Sequence, residues 1–535
     1  MLRTHLTVLA ASASRYPLSS VFKLPRSDSQ SSHGQDWYSI TYRQFYMDVE
    51  LFAQHWSRTL AESGVPLGSV VGLWIGGYTY NDVLNIYGMS RAGFIPQLFS
   101  LRLPSPEVIF ELLHKANAKA LVYESDFAPV LRECPVPSYL ARSTEDIEVT
   151  GYPLPELLPA RPEDIAFFFH TSGSSGGSPK LVPCSHRWLD SVVNKSSQVS
   201  KPQHSDRQDV SVWMGSMCHI GQTFSTLVLI GSLQHGSCVI QPTKIAFSSE
   251  ELVAMVTRCG LNRLNQFAAF LCNHLRASRQ DPKFLSLLTS LDEVLYSGMP
   301  LAREEEEWAY RNGIKLRNLF GSTEAGATLI SIEGTEGILQ PLAGTAYSFV
   351  PVTSETEAAT AAHQSTARML EFVILAESDD CPHPSLRAAD GHFHTGDLFI
   401  EAAPGQYVSR GRDDDWIKSE NSLRCDTKSI EDHTRMVCGS LIGECIVVGS
   451  GRPSPVLFVE PNPNSDMDPE KLKKEIIRKT RQWMLRRYLH ERIDKASHIV
   501  VVPPKTLPRT LTKGNIRRKA VEEAYKSMLD GIYAS

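Results

Sequence analysis

Short apolar runs of strand length alternate with stretches of helical periodicity along most of this chain. Residues 69–76 (SVVGLWIG) and 118–123 (AKALVY) are such runs, and residues 82–94 between them repeat apolar side chains at helical spacing. Several runs are apolar on both faces, as strands of a parallel sheet covered by helices are. The alternation predicts an α/β fold with more than one parallel-rich sheet. Further strands are expected at residues 164–170, 209–217, 238–241, 291–297 and 315–320.

The composition of the sequence changes near residue 411, and this change predicts a domain boundary. Residues 404–415 form a turn-rich, charge-dense segment of the kind that separates domains. The 535 residues therefore divide into a large N-terminal domain of several subdomains, residues 1–410, and a small α+β C-terminal domain, residues 411–535. In the small domain we expect strands at residues 444–449, 456–460 and 497–502 and a basic helix at residues 470–488.

Charge is unevenly divided between these two parts. The small part carries 23 Lys and Arg against 18 Asp and Glu, whereas the rest of the chain carries 31 against 41. The whole chain has a net charge of −5, so no overall basic field points to nucleic acid as a partner. For the basic helix, a solvated surface remains an equally good interpretation.

The sequence predicts a cytoplasmic protein without a membrane span. Its apolar runs are shorter than the roughly 18 residues that a membrane helix needs. The apolar stretch at residues 6–11 is short for a signal peptide and predicts a first helix instead. The 10 cysteines form no Cys-x-x-Cys pair and scatter through apolar stretches, as cytosolic thiols do.

Residues 170–180 (HTSGSSGGSPK) form the strongest local signal, directly after an expected strand. Glycines and small hydroxyl residues leave backbone N–H groups free to surround phosphate oxygens, and Lys180 adds a cation. The segment is not a Walker A loop, because Pro179 precedes the lysine. A flexible Gly/Ser linker has a similar composition, but a linker seldom begins directly at a buried strand.

Two further segments carry residues that suit a nucleotide. After residues 315–320, Thr323 can donate to a phosphate and Glu324 can bind Mg²⁺ as a hard oxygen ligand, although an isolated Thr-Glu pair more often begins a helix. In residues 393–398 (FHTGDL), Asp397 follows a tight glycine turn and suits the two hydroxyls of a ribose, although such a segment alone is more often only a turn.

Together with residues 411–418 (GRDDDWIK) and 507–518 (LPRTLTKGNIRR), these segments resemble in order and spacing those of the adenylate-forming (AMP-binding) enzyme superfamily. That group includes acyl-CoA synthetases and the adenylation domains of non-ribosomal-peptide-synthetase-like enzymes, and this sequence is most similar in character to the fungal ones. The resemblance covers the chain from its first helix to about Tyr525. It implies that the large domain binds ATP and a carboxylic acid while the small domain is a mobile lid. A basic lid on an acidic body agrees with closure over the polyanion ATP.

The resemblance also implies roles for individual residues at the matching positions. The catalytic residues are Lys513, supplied by the lid, and Thr323, Glu324 and His219. Glu324 is the Mg²⁺ ligand and Asp414 is the hinge. The residues that hold the nucleotide are Thr171, Ser172, Gly173, Ser174, Ser175, Gly176, Lys180, Asn318, Phe320, Asp397, Arg412 and Lys418. The residues that line the acyl pocket are His219, Phe224, Ser297, Met299 and Ala325.

The expected substrate is an aryl, keto or fatty acid rather than an α-amino acid. In amino-acid-activating relatives, an acidic residue shortly after the histidine motif pairs with the substrate ammonium; here residues 221–225 offer none, and an unpaired buried ammonium is costly. The implied cofactors are ATP, Mg²⁺ and CoA, with CoA as the acyl acceptor and a separate carrier protein as the alternative. For His219, a packed core histidine is the alternative.

Some positions depart from the family pattern. The phosphate loop is one residue longer than the common form, and Asn421 replaces a usual glycine. Ser297-Gly298 stands where two glycines are commoner, and Lys513-Gly514 reverses the usual order, which leaves the catalytic lysine open by one residue. These departures keep a catalytically silent, adenylate-binding homologue as a second hypothesis.

Overall fold

The computed structural model describes most of the chain. The residues outside the description are 1, 27–35, 100–104, 149–150, 157–159, 172–179, 219–230, 299, 302, 333, 336, 353–368, 413–415, 419–423, 464–466, 486, 488–490, 510–515 and 535, and the side chains of Thr171, Lys418, Arg424 and Ala534.

The described strands and helices alternate through the first part of the chain and again after residue 416. The strands are β1 (Ser20–Pro25), β2 (Trp37–Thr41), β3 (Val70–Trp74), β4 (Ile95–Phe99), β5 (Ala120–Tyr123), β6 (Ser138–Leu140), β7 (Ile165–Thr171), β8 (Lys180–Ser185), β9 (Val210–Val212), β10 (Cys238–Ile240), β11 (Arg263–Phe267), β12 (Glu293–Ser297), β13 (Leu316–Ser322), β14 (Gly326–Ser331), β15 (Leu339–Pro341), β16 (Tyr347–Pro351), β17 (Leu370–Ile374), β18 (Phe393–Ala403), β19 (Gln406–Arg412), β20 (Trp416–Lys418), β21 (Arg424–Asp426), β22 (Ile442–Val448), β23 (Val456–Pro461) and β24 (Ile499–Val501). The α-helices are α1 (His5–Arg15), α2 (Tyr42–Glu62), α3 (Tyr80–Arg91), α4 (Pro106–Lys115), α5 (His186–Val199), α6 (Ser249–Cys259), α7 (Ala268–Gln280), α8 (Pro282–Ser290), α9 (Arg303–Arg311), α10 (Thr427–Cys438), α11 (Pro469–Met484), α12 (Arg518–Ala524) and α13 (Lys526–Ala534).

One sheet of six described strands is almost entirely parallel. Its order is β6-β5-β3-β4-β7-β8, and only β8, at the edge, runs antiparallel to its neighbour. Helices α3 and α4 connect β3 to β4 and β4 to β5, which is the crossover that parallel pairing requires. This sheet confirms the parallel-rich α/β architecture that the alternation predicts.

The other large sheet is mixed. Its thirteen described strands have the order β16-β17-β18-β19-β15-β14-β13-β12-β11-β9-β10-β1-β2. The run from β13 to β1 is parallel, whereas the half from β16 to β14 pairs antiparallel. The change of direction occurs at the hairpin between β13 and β14, which carries Thr323 and Glu324.

Helices α2 and α3 pack closely because Gly88 has no side chain. A Cβ atom added at Gly88 would lie 2.6 Å from the Cβ atom of Phe52, so a larger residue would force the two helices apart. The start of α3 is fixed by a capping box, in which the Thr79 side chain accepts from the Asp82 N–H and the Asp82 carboxylate accepts from the Thr79 N–H.

The small C-terminal sheet, β22-β23-β24, is covered on both faces. Cys445 and Val447 face a cluster with α10 and α11, whereas Ile446 and Val448 face a cluster with α12 and α13. Successive side chains of a strand point to opposite faces, so a continuous apolar run of this length predicts burial on both sides.

The segment at residues 404–415 differs from its prediction as a connector. Residues 406–412 form β19, which pairs antiparallel with β18 and belongs to the large mixed sheet. The basic helix is also shorter than expected, because α11 ends at Met484. The first helix is confirmed as α1. Within the described ranges, no helix has both the length and the apolar character that crossing a bilayer requires.

His5 on α1 is a buried polar residue that packs against two aromatic rings. Its ring lies 4.8 Å from that of Tyr87 and 4.9 Å from that of Phe167, measured between centroids. Neither ring nitrogen has a hydrogen-bond partner among the described residues. Burial, with a smaller contribution from His186, lowers the pKa of His5 from 6.5 to about 3.

We expect His5→Phe to stabilise the protein by about 1–2 kcal/mol at neutral pH, because a phenyl ring fills the same space without unsatisfied nitrogens. Between its folded pKa of about 3 and its unfolded value of 6.5, His5 binds a proton only in the unfolded chain, so the wild type loses stability as the pH falls through this range. The advantage of the variant should therefore grow by about 1.4 kcal/mol per pH unit below that value. Denaturant unfolding at about pH 7 and about pH 5 measures both effects; an advantage that does not grow in acid would contradict a neutral, buried His5.

Candidate functional site

The residues Thr323, Glu324 and Ala325 form the turn between β13 and β14. Ser322 pairs with Gly326 across the hairpin, and Gly326 has a φ of 68°, the left-handed conformation that such short turns place on glycine. The Ser322 hydroxyl accepts a hydrogen bond from the Ala325 N–H at 3.3 Å. The alternative interpretation, a helix N-terminus, is wrong for this segment: Thr323 and Glu324 are half-buried turn residues.

Helix α5 holds this turn by two carbonyl groups. The indole N–H of Trp188 donates to the Glu324 carbonyl at 3.1 Å, and the ammonium of Lys195 donates to the Ala325 carbonyl at 2.7 Å. The two peptide groups that directly follow the Glu324 side chain are therefore held from one helix. Neither Trp188 nor Lys195 was among the residues that the motifs indicate.

Asp397 and Arg412 are partners across the β18–β19 pair. The Arg412 guanidinium donates to the Asp397 carboxylate at 3.3 Å, and Asp397 is 8% exposed. Gly396, with a φ of 72°, forms the turn before Asp397, and its N–H donates to the Glu371 carboxylate at 3.2 Å. The Thr395 hydroxyl accepts from the Asp397 N–H at 3.0 Å and donates to the Phe372 carbonyl at 2.8 Å.

Aromatic packing joins the turn to the strand that carries Asp397. Phe320 and Phe399 meet edge to face, with ring centroids 5.3 Å apart, and Ala325 belongs to the same apolar cluster. The structure thus joins the hairpin of Thr323 and Glu324 to β18, which carries Asp397 and pairs with Arg412 of β19.

The remaining predicted residues of this sheet lie on neighbouring strands. Asn318 on β13 is half-buried, and its backbone N–H donates to the Ser331 hydroxyl at 2.9 Å. Ser297, buried at the end of β12, is in register with Leu319 of β13. Met299 lies outside the described residues.

The predicted phosphate loop connects two antiparallel neighbours. Thr171 ends β7, Lys180 begins β8, and the two are paired in register. The Lys180 side chain is exposed. Ser172, Gly173, Ser174, Ser175 and Gly176 fall outside the described residues, as does the side chain of Thr171.

His170, immediately before this loop, is a buried neutral histidine. Its Nδ1 lies 3.0 Å from the Leu98 carbonyl and its Nε2 lies 3.1 Å from the Gln97 amide nitrogen. This geometry fits an imidazole that donates from Nδ1 and accepts at Nε2. Burial lowers the pKa of His170 to about 4, which keeps the ring neutral. The ring also stacks on Phe99.

The segment that leads to His219 is held by a glycine turn. The Met217 N–H donates to the Gly77 carbonyl at 2.8 Å, and the Ser216 hydroxyl donates to the Gly76 carbonyl at 2.5 Å. His219 and Phe224 themselves lie outside the described residues.

The segment that contains Lys513, like the predicted phosphate loop, is flanked by two residues that pair with each other. Arg509 and Ile516 form an antiparallel bridge on either side of it, and the Arg509 guanidinium pairs with the Glu460 carboxylate of β23 at 2.5 Å. Lys513 and Asp414, the predicted hinge residue, lie outside the described residues, as does the side chain of Lys418.

The donor set fits a Mg²⁺ ion that is shared with a nucleotide. In the described part of the chain, no three His, Cys, Asp or Glu side chains come together as a metal site. Mg²⁺ usually takes one or two carboxylates together with water and substrate phosphates, so the single carboxylate of Glu324 at a partly exposed turn is a suitable ligand.

Gly321 is essential to the shape of the hairpin. A Cβ atom added there would lie 2.4 Å from the Gly326 carbonyl oxygen and 3.1 Å from the Ala327 Cα atom. We expect Gly321→Ala to open the turn, destabilise the protein by about 1–3 kcal/mol and lower kcat/KM at least about tenfold. The matched control is Gly531→Ala, where a Cβ atom meets nothing within 4 Å. Equal activity of the two variants would contradict a functional role for the turn.

The chain is similar in sequence to known proteins along most of its length. The sequence matches the family model described as AMP-binding enzyme over residues 11–355 and that described as AMP-binding enzyme C-terminal domain over residues 414–535. It is 35% identical over 518 residues to the AMP-binding domain-containing enzyme iboA of Amanita muscaria (strain Koide BX008), which covers 95% of this chain and 98% of that protein.

More distant similarities extend to ligases and to a solved structure. The sequence is 24% identical over 437 residues to a 4-chlorobenzoate–CoA ligase of Arthrobacter sp., with 78% of each chain covered. The fold matches O-succinylbenzoate coenzyme A synthetase from Bacillus subtilis in complex with ATP and magnesium ion, with a TM-score of 0.70, 16% identity and coverage of 98% of this chain and 100% of that one. At this identity, the likeness to the solved structure establishes the fold alone.

Proposed function

We propose that this chain, which belongs to the AMP-binding enzyme family, activates a carboxylic acid with ATP as an acyl-adenylate, releases pyrophosphate and transfers the acyl group to CoA. The observation that carries the proposal is the convergence of the Glu324 turn with the Asp397 strand through Phe320 and Phe399. This convergence supports the proposal because Glu324, the proposed metal ligand, and Asp397, the proposed ribose ligand, then belong to the same large mixed sheet.

Each side chain then has a defined task. The Asp397 carboxylate accepts hydrogen bonds from the ribose hydroxyls, and Arg412 orients it. Glu324 would hold Mg²⁺, which when bound neutralises charge on the phosphates. Lys180 stands at the end of the phosphate loop, where an exposed ammonium can meet a phosphate oxygen. In-line displacement at phosphorus depends mainly on positioning and charge neutralisation, so fixed groups of this kind are what the reaction requires.

The remaining roles rest on the sequence. We propose that residues 1–410 bind the substrates and that residues 411–535 act as a lid that brings in Lys513. We propose an aryl, keto or fatty acid as substrate, because residues 221–225 offer no partner for an ammonium group. CoA is proposed as acceptor because the Arthrobacter relative is a CoA ligase and the Bacillus structure is a coenzyme A synthetase.

Acid-dependent exchange of pyrophosphate into ATP tests this proposal. The full-length protein is assayed with a panel of aryl, keto, fatty and amino acids, and the products formed with CoA are identified by mass spectrometry. Exchange with an acid from the first three groups, followed by acyl-CoA, supports the proposal. Exchange with amino acids alone contradicts the substrate class, and acyl-AMP without acyl-CoA favours a carrier protein as acceptor. ATP binding without exchange with any acid favours a silent homologue.

A further inference from the structure

Lys195 is a buried cation in the apolar face of α5. Its side chain is 1% exposed, and its ammonium nitrogen lies 2.7 Å from the Ala325 carbonyl oxygen and 2.7 Å from the Asp380 carboxylate. Val192 and Val199, one helical turn to either side, are apolar and buried. A charged residue among these buried apolar side chains is unusual, so a specific role for Lys195 is expected.

Asp380 is built to remain an anion. Its side chain is fully buried, and its carboxylate accepts hydrogen bonds from the Ser378 hydroxyl and from the Tyr347 hydroxyl as well as from Lys195. Burial opposes ionisation, but the attraction of Lys195 and these donors outweighs it, so the pKa of Asp380 lies below its ordinary value. Burial lowers the pKa of Lys195, and the attraction of Asp380 opposes that fall. Two acceptors at 2.7 Å, the Asp380 carboxylate and the Ala325 carbonyl, favour the ammonium form and fix its position.

Stability alone does not account for this arrangement. A buried ion pair contributes about as much as, or less than, apolar residues of the same volume, because both charges must leave water. What an apolar pair could not supply is a donor for the Ala325 carbonyl. Trp188, two helical turns earlier on α5, donates to the preceding carbonyl, that of Glu324.

We propose that Lys195 is a positioning residue: through the Ala325 carbonyl, and together with Trp188, it sets the orientation of the turn from which Glu324 reaches Mg²⁺ and ATP. Asp380 keeps its ammonium in place. The inference rests on the proposed function for the role of Glu324, but the anchoring of the turn is measurable in the protein without nucleotide.

Arg263 provides a matched control for the loss of a buried cation. Its guanidinium is buried between Asp209 and Glu293, at 3.2 Å and 2.8 Å. It lies at the start of β11 in the same sheet, and its other hydrogen bonds go to the Lys201 and Val199 carbonyls. Removing it takes a buried cation away from the Asp209 and Glu293 carboxylates, as removing Lys195 does from Asp380, while Glu293 keeps its ion pair with Arg317. The change also removes one hydrogen bond to the C-terminal end of α5 but leaves the hydrogen bonds of the Glu324 turn in place.

The test compares Lys195→Met with Arg263→Met in the full-length protein. The indole N–H signals of tryptophan are recorded by ¹⁵N NMR, with Trp188→Phe to assign the Trp188 signal, and Mg²⁺–ATP affinity is measured by calorimetry. We expect Lys195→Met to move or broaden the Trp188 signal without nucleotide and to weaken Mg²⁺–ATP binding at least about tenfold. Arg263→Met should lose comparable stability while both readouts stay as in the wild type.

Other outcomes separate the possible failures. An unmoved Trp188 signal or an unchanged Mg²⁺–ATP affinity in Lys195→Met overturns the positioning role, as does an equal change in both readouts in Arg263→Met. A wild type that binds no Mg²⁺–ATP refutes the proposed function and with it the role toward Mg²⁺, while the nucleotide-free spectrum still tests the anchoring. If Lys195→Met does not fold, Lys195→Met/Asp380→Asn removes both charges and must show the same two effects.

Discussion

Replacing Lys513 by alanine should abolish formation of the acyl-adenylate while leaving transfer from supplied acyl-AMP to CoA largely intact. As the carboxylate attacks the α-phosphorus of ATP, negative charge grows on the transferring phosphoryl group, and a positioned cation acts at that moment. Removing one such electrostatic contact typically costs on the order of 10²–10³ in rate. Thioester formation releases AMP without repeating this displacement at phosphorus, so it should lose much less.

The contacts that flank residues 510–515 do not depend on Lys513. The bridge between Arg509 and Ile516 and the ion pair of Arg509 with Glu460 do not involve the Lys513 side chain, so the variant should fold normally. Lys519→Ala is the matched control, because it removes the same charge from an exposed position on α12 of the same domain. Equal loss of both half-reactions in Lys513→Ala would refute the assigned role. If the variant forms acyl-AMP at the wild-type rate, another lysine must be the catalytic one.

Replacing Glu324 by glutamine should raise the Mg²⁺ concentration needed for half-maximal turnover at least about tenfold. The amide keeps the size of the side chain but loses the charge of a hard oxygen ligand, on which Mg²⁺ affinity depends. The backbone of the turn, held through the carbonyls of Glu324 and Ala325, should remain in place. A Mg²⁺ titration of pyrophosphate exchange, with ATP at fixed excess, measures the shift.

Glu304→Gln supplies the comparison for this titration. Glu304 is an exposed carboxylate of α9 that pairs with Arg279, so its loss changes net charge by the same amount at the surface. Its Mg²⁺ curve should coincide with that of the wild type. If Glu324→Gln also gives the wild-type curve, Glu324 is not the ligand, and another carboxylate must be sought.

The α/β class and the strand-end motifs were predictable because their signals are local. Apolar runs such as residues 69–76 indicate burial on both faces directly, Thr323 and Glu324 follow an expected strand, and Asp397 follows a glycine turn. The antiparallel half of the large sheet was not predictable in this way. Strand β19 is polar and partly exposed along its length, so its own sequence resembles a connector, and its pairing with β18 is what makes it a strand.

The support beneath the site was predictable only in part. Lys195 stands out as a charge in an apolar helical stripe, which sequence periodicity could have flagged. Its partner Asp380 is 185 residues away in the sequence, and no local pattern connects the two. The two residues meet only because α5 packs against the mixed sheet in the folded protein. The sequence next to Lys195 and the sequence next to Asp380 give no sign of this contact.

Residues 172–179 and residues 510–515 are both flanked by paired residues, and this affects which sequence changes the fold can tolerate. Thr171 pairs with Lys180, and Arg509 pairs with Ile516, so the ends of residues 172–179 and of residues 510–515 are joined by the backbone of the folded protein. Folding therefore already brings the ends of each segment together, before any ligand binds. The entropic cost of closing such a loop grows only slowly with its length. If these segments bind the nucleotide as proposed, insertions and exchanges between their ends should change nucleotide affinity while the stability of the fold stays nearly constant.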